Sequence, residues 1–178
     1  GEVVADRAVI AAGARSRELA RAAGDAMPLE SERGYHAVLA DPSVGPRTPM
    51  MPSDGKMSVT MTAGGLRVSG QVEIAGLEAA PNWRRSEILR DHMLGMFPSL
   101  PRDLPAEAVR FWMGHRPSMP DGLPVIGPAR ATPDILHCFG HGHIGLVAAP
   151  RSAELVAAML AGRAPRPDAA PYSPDRFR

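Results

Sequence analysis

The spacing of hydrophobic positions changes along the chain, and each change predicts an element. Val3–Ala14 leads into a strand: Ala8–Ala12 is a continuous small, apolar run, the pattern of a parallel strand covered on both faces. Gly13 ends that run. Ser16 is placed to cap a short helix carrying Leu19, Ala20 and Ala23, with Gly24 past its end. A second strand is expected at Tyr35–Ala40. Val59 and Met61 alternate with Ser58, Thr60 and Thr62, and Leu66, Val68, Val72 and Ile74 alternate likewise. Met57–Gly76 therefore reads as a hairpin turning at Gly64 and Gly65, with a candidate bulge at Gly70. Helical spacing then takes over in Asn82–Leu100, where Ile88, Leu89, Met93 and Met96 share one face, Asn82 offers an N-cap, and Pro98 and Pro101 stop the helix. Strands are expected at Ala108–Pro117 and Ile135–Phe139, with a short apolar segment between them. A glycine-rich turn and an apolar helix to about Ala161 follow, stopped by Gly162 and Pro165.

The order of these elements is α/β material, then an antiparallel sheet with one helix, then α/β material again. It predicts an α/β fold with an α+β insert: residues 1–27 and 113–178 form one domain, and residues 28–112 form a separate sheet domain. Asp41–Lys56, rich in Pro, Gly and Ser, is the long loop of the insert.

Composition narrows the partners. The chain has 178 residues, enough for one sizeable core or two small lobes. Lys and Arg number 20 against 19 Asp and Glu, so bulk charge favours neither nucleic acid nor an anionic membrane. No apolar run approaches the roughly 20 residues of a spanning helix. Cys138 is the single cysteine, which fits a reducing compartment and a cytoplasmic location. The chain opens on Gly1, close to a strand, and is expected to be a piece of a longer protein.

Candidate chemistry concentrates in Ile135–Pro150. Gly140, Gly142 and Gly145 have G-x-G-x-x-G spacing. A dinucleotide-binding first turn needs a second parallel strand after the helix, with an acidic residue about 20 positions on. Only a Pro-rich tail follows here, so that reading fails on context. The physics of the turn survives. Glycines allow close approach to backbone N–H groups, and the following helix directs its positive end to the same place. Such a turn suits an anionic or electron-rich group; tight strand–helix packing is the alternative. His137, Cys138, His141 and His143 do not have the spacing of a metal site, since His137 and Cys138 point to opposite faces of a strand.

Taken in order, "VIAAGARS" (Val9–Ser16), "WMGHRPSMPDGLPVIG" (Trp112–Gly127) and "GHGHIGLVAAP" (Gly140–Pro150) resemble the flavin-dependent amino acid oxidoreductases of the D-amino acid oxidase superfamily. "ERGYH" (Glu32–His36), "GGLRVSGQVEIAG" (Gly64–Gly76) and "PYSPDRF" (Pro171–Phe177) are most similar to the bacterial D-amino acid dehydrogenase branch. The resemblance implies FAD as cofactor, with this chain the C-terminal portion of the enzyme and the Rossmann turn in a missing N-terminal part. The two flanking segments would belong to the FAD-binding domain and the insert to the substrate domain. The implied reaction moves the substrate α-hydrogen as hydride to the flavin, and the imino acid is hydrolysed to a 2-oxo acid and ammonia. A non-catalytic fragment, or a glycine, sarcosine or 2-hydroxy acid oxidoreductase, is the alternative.

The same resemblance assigns residues. Arg116 would bind the substrate α-carboxylate through its planar fork, where a surface pair with Asp121 is the alternative. His143 and Tyr35 join it as catalytic candidates, with a hydrogen-bonded structural histidine and a core tyrosine with a satisfied hydroxyl as the alternatives. Ala12, Gly13, Gly127, Gly140, His141, Gly142, Ile144, Gly145 and Leu146 would lie along the cofactor; structural packing is the alternative for His141 and the small residues. The implied partners are an amino acid and a quinone or other electron acceptor. The inner face of the cell membrane is an alternative location.

Overall fold

The computed structural model describes residues 1–177. In chain order its elements are β1 (Ala8–Ile10), α1 (Ser16–Ala22), β2 (Glu30–Leu39), β3 (Met57–Thr62), β4 (Gly65–Ile74), α2 (Arg84–Met96), β5 (Val109–Ser118), β6 (Val125–Pro128), β7 (Ile135–Phe139) and α3 (Gly145–Leu160). The chain divides into two units, Gly1–Glu32 with His115–Arg178, and Arg33–Gly114. The expected boundaries, after Met27 and Trp112, fall short of the observed ones. Leu29 packs with Met27 in the core of the first unit, and Ser31 Oγ lies 2.7 Å from His115 Nδ1 within it.

The first unit is built on a three-stranded sheet of order β1-β7-β6. β1 runs parallel to β7, with Ala8, Val9 and Ile10 opposite Ile135, Leu136 and His137. β6 runs antiparallel to β7. Successive residues of a strand face opposite ways, and β6 shows it. Val125 joins Ala20, Met27, Leu29, Met119 and Phe139 in one cluster, while Ile126 packs with Leu155 and Val156 of α3 in another. The parallel pairing of β1 agrees with its apolar pattern, but full burial does not follow: Val9 is 41% exposed. Val9 lines an open cavity with Cys138 of β7 and Gly145 and Ala149 of α3, so its face of β1 is not covered. Ser16 departs from its expected role as well. It is the first residue of α1, is fully buried, and its Oγ accepts a hydrogen bond from the Ala12 amide at 3.0 Å.

In the second unit β4 is hydrogen-bonded between β3 and β2, in a sheet of order β3-β4-β2-β5. Thr62 pairs with Gly65 across the predicted hairpin turn, and Val59 with Val68. The alternation directs Val59, Leu66 and Val68 inward with Tyr35, Ala37 and Leu39, against Leu89 and Met93 of α2. Gln71, one residue after Gly70, takes a φ of +62°. Asn82 is not the cap of α2. Trp83 holds that position without a side-chain bond, and the Asn82 amide instead donates to the Tyr35 hydroxyl at 3.0 Å.

Candidate functional site

The glycine turn begins where β7 ends. Gly140 has φ +87°, and a Cβ there would come within 2.7 Å of Met119 Cγ, so both conformation and space demand glycine. Gly142, at φ +53°, demands it by conformation alone, since a Cβ would meet only Ser118 Oγ at 3.6 Å. Residues Gly142–Ile144 form a 3-10 turn that feeds α3. An antiparallel bridge between Ser118 and His141 pins the turn to the end of β5. His141 Nε2 lies 2.8 Å from Ser152 Oγ on α3, and burial lowers its pKa, so the ring stays neutral near pH 7. The first-turn amides of α3 have no partner inside the helix. Leu146 and Val147 beside them are 91% and 85% exposed.

Four polar side chains from three distant segments of the first unit meet beside this turn. Glu32 Oε1 lies 2.6 Å from His143 Nε2 and 3.7 Å from Arg116 Nη1. Glu32 Oε2 accepts a hydrogen bond from Ser118 Oγ at 3.1 Å. Arg116 is mostly buried, and its Nη1 is shielded from water yet makes no hydrogen bond. A cavity of about 270 Å³ is lined by Glu32, Ser118, Gly140, Gly142, His143 and Ile144, with Glu32 the only acid among the described lining residues. Asp121, the alternative partner for Arg116, is taken by Arg176, whose Nε donates to it at 2.7 Å and helps hold its carboxyl below the usual range.

Ala12 and Gly13 lie in a short turn after β1, where a Cβ on Gly13 would meet nothing within 4 Å. Gly127 sits in β6, where a Cβ would come 3.1 Å from Pro174 Cδ of the C-terminal tail. Tyr35 belongs to the second unit. It is buried, and its hydroxyl donates to Glu73 Oε2 at 2.5 Å. His137 lies buried against Asp25 at 2.7 Å. Burial pushes the Cys138 thiol up, so it stays protonated and a poor ligand.

Sequence reasoning missed Glu32 as a site residue, and no local signal marks it. Its partners lie 84 or more positions away, brought back by β5 and the glycine turn. Arg33 was missed in the same way. It is fully buried, and all its donors face the Glu73 carboxylate or the carbonyls of Gly76, Ala80, Ala75 and Ala79.

With this geometry in hand, comparison with known proteins is decisive. Residues 1–159 match the model of the FAD dependent oxidoreductase family, DAO. The chain belongs to this family. Among its relatives, a D-amino-acid oxidase from Bradyrhizobium diazoefficiens is 59% identical over 177 residues, spanning 99% of this chain and 42% of the relative. A D-amino acid dehydrogenase from Granulibacter bethesdensis is 33% identical over 179 residues, with the same coverage of 99% and 42%. The crystal structure of an iminodiacetate oxidase from Chelativorans superposes with a TM-score of 0.79 at 21% identity, over 97% of this chain and 47% of that one; it shows the shared fold. The chain thus spans under half the length of these family members. The matches agree with a part of a longer flavoprotein, and they give no support to the expectation that this part is the C-terminal one. No described helix is long and apolar enough to cross a membrane.

Proposed function

We propose that this chain is part of an enzyme that oxidises amino acids, D-amino acids foremost, to 2-oxo acids with FAD. One observation carries the reading: Arg116 is held with a shielded Nη1 that makes no hydrogen bond, 3.7 Å from Glu32, which lines a cavity at the glycine turn. A guanidinium with an unspent donor suits a carboxylate, which it grips with charge-assisted bonds and sets in a fixed orientation. Pro117 follows it directly and restrains its backbone. The names of the relatives favour amino acids as the source of that carboxylate.

The residues present suit a flavin. Gly142 at positive φ leaves its backbone approachable, the first-turn amides of α3 are donors with a positive dipole behind them, and exposed Ile144 and Leu146 offer apolar flanks. Bound FAD supplies the two-electron acceptor. In this reading the first unit serves the cofactor and also carries the substrate's carboxylate anchor, Arg116. Arg116 binds and orients, and His143 steadies Glu32. Tyr35 is assigned no contact with substrate, because its hydroxyl is already engaged on both sides. The electron acceptor downstream is a quinone or another oxidant.

The test is the intact protein that carries this chain, purified and screened anaerobically. A flavin absorbance spectrum bleached by D-amino acids, and far more slowly by sarcosine or 2-hydroxy acids, is the expected result. Absence of flavin, or bleaching by 2-hydroxy acids alone, overturns it.

A further inference from the structure

The unassigned group beside Arg116 is Glu32, and we propose that it recognises the α-ammonium group of the substrate, so that the site selects zwitterions over simple carboxylates. This inference rests on the reading of Arg116 as the carboxylate anchor.

A carboxylate placed next to a carboxylate-binding arginine needs a reason, because it opposes the ligand the arginine is there to attract. Here the two are close but not bonded. Glu32 Oε1 stands 3.7 Å from Arg116 Nη1, too far for a hydrogen bond, and Nη1 makes none elsewhere. A built structural ion pair would close that gap, as charge-assisted bonds of about 2.7–2.9 Å do. The gap leaves Arg116 able to take a second carboxylate. In an α-amino acid, the ammonium nitrogen lies within about 3 Å of a carboxylate oxygen by covalent geometry. A carboxylate seated on Arg116 therefore brings its ammonium into reach of a carboxylate standing 3.7 Å from that arginine.

Glu32 is also prepared for this task. Ser118 donates to Oε2 at 3.1 Å and His143 Nε2 lies 2.6 Å from Oε1, so its side chain is oriented from both oxygens. Each ionised oxygen retains further acceptor capacity. It is also the only acid lining the cavity among the described residues. The charge balance points the same way. Arg116 and Glu32 already balance each other, so a zwitterion adds no net charge to a partly desolvated site, while a simple carboxylate adds one negative charge beside Glu32.

The test uses the intact, FAD-loaded protein and two ligands of one carbon skeleton. They are 2-aminoisobutyrate, which has no α-hydrogen to lose, and isobutyrate, which lacks the amino group. Dissociation constants are read from the change in flavin absorbance. Wild type is expected to prefer 2-aminoisobutyrate, and Glu32→Gln to reduce that preference by about 10- to 100-fold, the range for one bond to a charged group. Glu32→Asp, which keeps the charge, is expected to retain part of it. If Glu32→Gln does not fold, Ser118→Ala carries the test, because it removes one bond that orients Glu32; a preference reduced several-fold supports the proposal. A preference left unchanged by either variant, or both ligands weakened equally, overturns it. Arg116→Ala is the separate control. It weakens both ligands if the anchor reading holds, and leaving both unchanged sinks that reading whatever Glu32 does.

Discussion

Arg116 and Arg33 each stand beside a glutamate, and they differ in how far their donors are spent. Arg33 is sealed in the second unit, with Nε, Nη1 and Nη2 all bonded and Glu73 as counter-charge. Arg116, in the first unit, keeps Nη1 unbonded and its glutamate at 3.7 Å. Burial of a charge is tolerated when every donor is matched, and such an arginine ties a loop together. A shielded donor without a partner costs free energy, and a site can recover that cost by binding a ligand. The contrast is between an arginine whose donors are all spent and one with a donor left, a difference that exposure alone does not reveal.

Breaking the saturated cluster should have the largest effect. Arg33→Ala leaves four carbonyls without their donor and Glu73 with only Tyr35 and Arg85 as partners, and is expected to destabilise the protein by about 3–5 kcal/mol, read from its urea midpoint. A loss below about 1 kcal/mol would mean that the buried charge is not needed. At the open arginine the effect should appear in binding instead. Arg116→Ala is expected to raise KM for an amino acid by about 100-fold or more, while the urea midpoint moves little. A large stability loss with unchanged KM would make the two arginines alike.

The pH dependence of stability offers a third comparison, through His36 of the second unit. Its ring stacks on Trp112 with centroids 4.8 Å apart, and burial, aided by the charge of Arg67, lowers its pKa to about 4. The folded state therefore refuses a proton that the unfolded chain accepts near pH 6.5. Stability from this group is present above about pH 6.5 and is lost as pH falls toward 4. His36→Phe, which preserves the stack, is expected to flatten that slope in urea titrations between pH 7 and 4.5; an unchanged slope assigns it to other groups. The smallest effect is expected from Tyr35→Phe. It removes one bond to Glu73 and one from the Asn82 amide, for about 1–2 kcal/mol in thermal unfolding. Little change in KM would agree with a core role, whereas a large one would return Tyr35 to the substrate site.

Much of the fold was legible because periodicity reports local facing. The β3–β4 hairpin, the inward face of α2 around Leu89 and Met93, and the strand–turn–helix of β7 and α3 follow from spacing and glycines. Cap chemistry was less legible, because a capping side chain has other partners to choose from. Trp83, not Asn82, took the cap position of α2, and Ser16 turned its hydroxyl back to the Ala12 amide. Val9 read as fully covered because an apolar run records a preference for burial, not the neighbours that supply it.

By itself, the sequence determined the order of elements, the glycines that the turn at 140–142 cannot do without, and an arginine restrained by the proline after it. Those are properties of a few adjacent residues, set by backbone sterics and side-chain period. Only the tertiary structure decided that Glu32, and not Asp121, stands beside Arg116, that His143 turns toward that glutamate, and that Arg33 is locked away. Each of those outcomes depends on which donors reach which acceptors across 40 to more than 100 residues of chain. No local pattern encodes that accounting, because electrostatic and hydrogen-bond partners are settled by proximity in space.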